Sequence, residues 1–160
     1  MLEKLERLQT VPGTLTGVWD FFCRPENLAD ITPASLRFRV TSPPQDRMYA
    51  GMIITYKVSP FPGLALPWVT EITQCQGPHF FVDEQRFGPY RFWHHQHHFR
   101  EVAGGVEMRD LIHYRLPLGP LGGIASALVR RQLKGIFDYR ETAVQRLFGS
   151  LETTTQQDVS

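Results

Sequence analysis

A chain of 160 residues, 42% hydrophobic and 21% charged, has the size and composition of one globular domain able to bury roughly 70% of its unfolded surface, as a core or a core with a cavity. Its formal net charge of +1 gives no field that would collect phosphates, which excludes nucleic acid as the expected partner. Met1-Leu2-Glu3-Lys4-Leu5-Glu6 mixes both charge signs without the apolar stretch of a signal peptide, and no apolar run approaches the ~20 residues of a membrane span, so a soluble, cytoplasmic protein is expected.

Leu5 to Val11 fits a first strand, and Pro12-Gly13 breaks it. Thr14 to Cys23 carries Leu15, Val18, Trp19 and Phe22 on one side, as a short amphipathic helix would. Pro25 suits the first turn of a second short helix bearing Leu28 and Ile31, which Thr32-Pro33 stops. Strands are then expected at about Leu36 to Thr41, Met48 to Ser59, Trp68 to Cys75, Phe80 to Phe87, Phe92 to Val102 and Val106 to Leu116, separated by Pro and Gly clusters. After Gly122-Gly123, Val129, Leu133, Ile136, Phe137, Val144 and Leu147 recur at spacings of three and four, predicting one helix over Ile124 to Phe148, roughly 37 Å long. Residues 151 to 160 are polar and are expected to be a disordered tail on a single domain of residues 1 to 150. Cys23 and Cys75 have neither metal-type spacing nor the density of a disulfide scaffold, so both are expected to be reduced thiols.

The most informative strand is Phe92-Trp93-His94-His95-Gln96-His97-His98-Phe99. Period two puts Trp93, His95, His97 and Phe99 on one face. If Gly88-Pro89-Tyr90 and Ala103-Gly104-Gly105 turn the flanking hairpins, Asp83 and Gln85 lie near His95 and Trp93, Asp110 near His97, and Ile112 near His95. One face then collects Phe81, Asp83, Gln85, Trp93, His95, His97, Phe99, Met108, Asp110, Ile112 and Tyr114. Aromatic walls with a few convergent polar groups describe a small-molecule site of roughly 300 to 1,000 Å³. A one-residue slip would turn His94, Gln96, His98 and Arg100 inward, a set with no aromatic, and that register is rejected.

Burying a carboxylate costs several kcal/mol even after relaxation, so Asp83 and Asp110 need imidazole partners, water or a ligand. Three readings of the cluster stay open: a structural network, a ligand-contacting network, or a metal site built on His-x-His with a carboxylate from a neighbouring strand. Arg140 falls on or near the apolar stripe of the long helix, where it holds a carboxylate or phenolate end of a ligand, snorkels to the rim, or pairs with a structural carboxylate. Tyr56 and Trp68 are candidate pocket residues, although with Trp19 they belong to a class that is more often core than ligand contact.

The order of elements, together with Val18-Trp19-Asp20-Phe21-Phe22, Asn27-Leu28, Ile31-Thr32-Pro33, Gly51-x-x-Ile54-x-Tyr56, Asp83-Glu84-Gln85, Gly88-Pro89-Tyr90, Trp93-x-His95-x-His97-x-Phe99, Met108-x-Asp110, Tyr114-x-Leu116-Pro117 and Ile136-Phe137-x-Tyr139-Arg140, resembles the helix-grip fold of the START-like (SRPBCC) superfamily. The resemblance covers about Leu5 to Phe148 and is nearest a bacterial branch of small stand-alone proteins, some with polyketide cyclase/dehydratase or coenzyme Q-binding labels. It implies an α+β fold in which a curved antiparallel sheet of about seven strands wraps around a long C-terminal helix, with two short helices between strands 1 and 2. It also implies a hydrophobic cavity between sheet and helix for a lipid, polyketide or quinone-like molecule, to which Ile136, Phe137 and Arg140 of the helix would contribute. In such a fold the apolar stretches 60–67 and 117–123 would surround the cavity mouth, as a portal or as a patch for transient membrane or protein contact.

A carrier or sensor needs only that cavity, and this is the preferred function. The alternative is a cyclase/dehydratase-like enzyme with His95 or His97, oriented by Asp110 or Asp83, as general base. The chain shows no nucleophile motif, phosphate loop or dinucleotide fingerprint, so the expectation leans away from an enzyme. A cupin-like metal site is third, since His95-x-His97-x-x-x-Glu101 matches the heart of that family's first motif, but the flanking glycine spacing is off and no second motif follows. No cofactor and no metal are expected.

Overall fold

The computed structural model describes residues 2–61, 63–116 and 123–151. Strand β1 (Glu3–Val11) leads into helix α1 (Leu15–Phe22), two 3-10 turns (Pro25–Ala29 and Ala34–Leu36) and a two-residue strand β2 (Arg39–Val40). Strands β3 (Ile53–Phe61), β4 (Leu64–Gln76), β5 (Phe80–Phe87), β6 (Phe92–Val102) and β7 (Gly105–Arg115) follow, and helix α2 (Gly123–Phe148) ends the fold. The seven strands form one sheet in the order β1-β7-β6-β5-β4-β3-β2. Every neighbouring pair is antiparallel. This is the expected α+β helix-grip architecture.

Local chemistry explains the elements. The Thr14 hydroxyl accepts a hydrogen bond from the Gly17 amide at 3.1 Å and caps α1, satisfying a donor the first helical turn leaves orphaned. The face that α1 buries is Leu15, Val18, Trp19 and Phe22. Trp19 meets Phe81 of β5 and Phe99 of β6 edge-on, with centroids 5.9 and 5.7 Å apart, an arrangement that suits the ring quadrupoles. On α2 the buried stripe is Leu133, Phe137, Arg140 and Val144, at spacings of four, three and four, as one helical face requires. Leu133 and Phe137 pack on Trp93, Ile112 and Tyr114, while Val144 joins the core formed with Val11, Val18 and Phe22. The helix therefore lies along the inner face of the sheet.

The sequence expectations fail at three places. The strand expected from Leu36 shrinks to Arg39–Val40 because Ala34–Leu36 coils and Arg37 takes a left-handed conformation at φ 44°. The strand expected from Met48 begins at Ile53, after a turn in which Gly51 has φ 93°. The stretch 60–67, expected to be a loop, is the end of a hairpin, with Phe61 paired to Leu64. Its prolines are accommodated because before Val69 strand β4 pairs only with β3, and strands tolerate proline where one side is unpartnered. Leu147, which shares the apolar spacing expected of α2, is half exposed. The second apolar stretch, 117–123, falls outside the described residues except for Gly123, and the tail outside them except for Leu151.

Candidate functional site

Two hairpins aim the site. Asp83 stands opposite His95, His97 opposite Asp110 and His95 opposite Ile112, the register anticipated from the two turns. Because facing residues on one side of a sheet bring their Cβ atoms to about 5 Å, the two carboxylates and two imidazoles meet as one group. His95 Nε2 lies 2.7 Å from Asp110 Oδ1, and His97 Nε2 lies 2.7 Å from Asp83 Oδ2. The other two nitrogens are close as well, His97 Nδ1 at 3.0 Å from Asp110 Oδ1 and His95 Nδ1 at 3.3 Å from Asp83 Oδ2. The two rings are 3.7 Å apart, and His97 stacks on Phe81 at 4.0 Å. Trp93 Nε1–H donates to Asp83 Oδ1 at 3.1 Å. Arg140, 9% exposed, brings Nη1 to 3.5 Å from Asp110 Oδ1.

Burial and charge set the protonation. Burial works to raise both carboxyls, but the imidazoles outweigh it, holding Asp83 below the ordinary range; with Arg140 added they hold Asp110 well below it. Burial pushes His95 down to about 4, aided by the charge on His97. On His97 burial acts the same way, but hydrogen bonds to Asp110 and Asp83 reverse it and the imidazole is raised. The consistent state has His97 as imidazolium and His95 neutral, so that two carboxylates are balanced by His97 and Arg140. A neutral His95 that donates Nε2–H to Asp110 turns its Nδ1 lone pair toward Asp83, and that contact is the longest of the four. Such balance is what allows charges to be buried at all.

Beside this group lies a cavity of about 180 Å³. Of the residues singled out from sequence, Tyr56, Trp68, Phe81, Asp83, Trp93, His95, His97, Ile136, Phe137 and Arg140 line it. Six do not. The Gln85 side chain donates to the Tyr90 carbonyl at 2.6 Å and accepts from the Tyr90 amide at 3.1 Å, closing the β5–β6 turn. Phe99 and Met108 belong to the core beneath α1, and Ile112 is fully buried against Leu133 and Phe137. Tyr114 donates its hydroxyl to Glu3 of β1 at 3.0 Å. Asp110 stands behind the imidazoles and borders a recess of about 10 Å³ shared with Arg7, Gln9 and Glu141, room for one water.

Sequence reasoning missed the opposite wall. Phe22, Leu28, Ile31, Leu36 and Phe38 supply it, together with Val58 and Thr70. No local periodicity joins the Leu28–Phe38 coil to strands far along the chain. Tyr90 was read as part of a turn but folds inward to pack on Trp93 and Trp68, with centroids 4.8 and 5.5 Å away. Phe38 lies on Tyr56 at 5.0 Å. These rings fill space, which is why the cavity is smaller than the range expected from the inner face of the sheet.

No protein-family model matches the chain, and no curated protein matches its sequence. Solved structures do match. Protein Ms6760 from Mycobacterium smegmatis is similar with TM-score 0.66 and 16% identity, over 90% of this chain and 89% of that one. Ginseng major latex-like protein 151 from Panax ginseng is similar with TM-score 0.65 and 12% identity, over 92% and 97%. A nucleoside-diphosphate sugar epimerase from Corynebacterium glutamicum is similar with TM-score 0.62 and 24% identity, over 89% of this chain but 28% of that longer one. Identities this low speak of architecture, and the element order, sheet topology and C-terminal helix agree with them: the chain has the helix-grip fold.

Proposed function

We propose that the protein binds a compact, largely apolar small molecule in the cavity between sheet and helix, as a carrier or sensor. The observation that carries this reading is a cavity of about 180 Å³ whose walls are mostly aromatic and aliphatic, with the Asp83, His95 and His97 group at one side and Arg24, Asn27, Thr32, Thr70 and Arg140 as its other polar lining residues. An apolar cavity of about 150 Å³ holds a benzene ring, whereas sites for drug-sized ligands occupy about 300 to 1,000 Å³. The volume therefore favours a ligand of one or two rings over a long acyl chain. A hydroxyl on that ring would donate to Asp83, which fixes orientation. The hairpin that continues from cavity-lining Val58 and Trp68 ends at Leu64, 45% exposed, and we assign ligand exchange to that end, with transient contact to a membrane or a protein as its second use.

No helix among the described residues is long and apolar enough to cross a membrane. Cys23 and Cys75 are free thiols, which accords with a reducing, cytoplasmic setting.

A second reading, proton transfer of the cyclase or dehydratase type, is favoured by one observation. His95 and His97 are pushed apart in basicity, and paired groups of unlike basicity provide an acid and a base side by side.

Native mass spectrometry of the freshly purified protein tests the binding reading. A near-stoichiometric small organic molecule is expected in the wild type, reduced at least tenfold in Leu28→Trp, which fills the cavity with an indole. A clean mass for the wild type, or equal occupancy in both proteins, would overturn it. Turnover of the released molecule that is lost in His97→Gln while its affinity persists would promote the second reading.

A further inference from the structure

The two imidazoles turn opposite nitrogens to opposite carboxylates. His95 Nε2 and His97 Nδ1 face Asp110, at 2.7 and 3.0 Å, while His95 Nδ1 and His97 Nε2 face Asp83 Oδ2, at 3.3 and 2.7 Å. Asp83, His95 and His97 line the cavity and Asp110 does not. One ligand atom from each of the three lies within 4.8 Å of the others, so two nitrogens and a carboxylate oxygen are grouped on residues that line the cavity. On the other side a single carboxylate oxygen, Asp110 Oδ1, bonds the far nitrogen of His95 and lies beside that of His97. A metal-bound imidazole characteristically donates its other N–H to a carboxylate, which fixes the tautomer and raises the basicity of the ligating nitrogen. Asp110 is placed to do this for both rings at once, and Arg140 restrains Asp110 in turn. Trp93 performs the same service for Asp83 by bonding Oδ1 and leaving Oδ2 toward the imidazoles.

Two histidines and one carboxylate with further positions open to a cavity suit zinc or another divalent first-row ion. We propose that Asp83, His95 and His97 form a binding site for one divalent transition-metal ion at the polar end of the cavity, with its open coordination positions facing the space where an organic ligand would lie. Binding replaces the proton shared by His97 Nε2 and Asp83, which leaves to solvent. The site does not require that the cavity carry an organic ligand, because its three donors and its outer carboxylate come from the protein alone.

The test titrates chelator-treated, ligand-free protein with zinc chloride by calorimetry and with cobalt chloride by visible absorption. One equivalent is expected to bind, with the intense d–d bands of a low-symmetry cobalt site. His97→Ala and Asp83→Asn should each weaken binding by roughly 100-fold or more, and Asp110→Asn, which touches no ion, by about 10- to 100-fold. His94→Ala is the control, since His94 bonds Glu84 and Gln96 instead of the inner carboxylates. Circular dichroism establishes that each variant is folded, and His97→Gln replaces His97→Ala if the latter is not. Absence of saturable binding to the folded wild type would overturn the proposal. So would binding that survives His97→Ala or His97→Gln and disappears in His94→Ala, which would place the ion on the outer face. Either failure leaves the cavity proposal to its own test, because no organic molecule takes part in this one.

Discussion

Asp110→Ala is expected to lower folding stability by about 3 to 5 kcal/mol, the usual cost of leaving a buried charge without its partner. The carboxylate is the common neighbour of both imidazoles and of Arg140. Its removal leaves the His97 imidazolium with Asp83 alone and the Arg140 guanidinium with no carboxylate among its described contacts. For a chain of this length such a loss corresponds to a fall in Tm of roughly 6 to 20 °C. Chelator-treated protein should be used in thermal and urea unfolding, so that a bound ion does not mask the difference. A loss below about 1 kcal/mol would mean that Asp110 behaves as an exposed ion-pair member, and the account of a balanced buried group would fail.

Stability should also pass through a maximum near neutral pH, because the two inner histidines titrate in opposite senses. His95 has a folded value of about 4, below the ordinary value near 6.5. The unfolded chain therefore takes up a proton first, and the contribution of His95, complete above pH 6.5, is lost as the pH falls toward 4. The full difference amounts to about 3 kcal/mol. His97 is raised in the folded state, so its contribution is complete below pH 6.5 and lost as the pH climbs through its higher folded value. Asp83 and Asp110, both depressed, add a further loss below their ordinary range. Urea midpoints measured from pH 4 to 9 on metal-free protein should show the acid limb shrink in His95→Gln and the alkaline limb shrink in His97→Gln. A profile flat between pH 6.5 and 4 in the wild type would contradict the assignment of His95 as the neutral ring.

The inner wall was legible in the sequence for a definite reason. Between Phe80 and Arg115 each turn is short and glycine-marked, so alternation along β6 settles which side chains face inward, and pairing settles their neighbours. Asp83 against His95 and Asp110 against His97 follow from counting. The facing wall was not legible, since Leu28, Ile31 and Phe38 come from coil and 3-10 turns that impose no period. Strand β5 shows where counting ends. Gln85 pairs with Thr70 and Phe87 with Val69, leaving Arg86 unpaired in a bulge, and Phe87, which strict alternation would send inward, is 72% exposed. Charge was only partly legible. Asp110 could be placed near His97 from register, but that Arg140 would reach it from the helix depends on packing across the whole domain.

Balanced charge in the inner group has a consequence for how a guest is chosen. Two negative and two positive groups at contact distance cancel beyond their immediate surroundings, and the whole chain adds only a formal +1. Neither this group nor the net charge then steers an ion from afar, and capture of a neutral molecule such as the one proposed would proceed at a rate indifferent to ionic strength. For the ligand proposed above, selection would then be left to the last few ångströms, where ring shape and one well-placed hydroxyl decide between residents and passers-by.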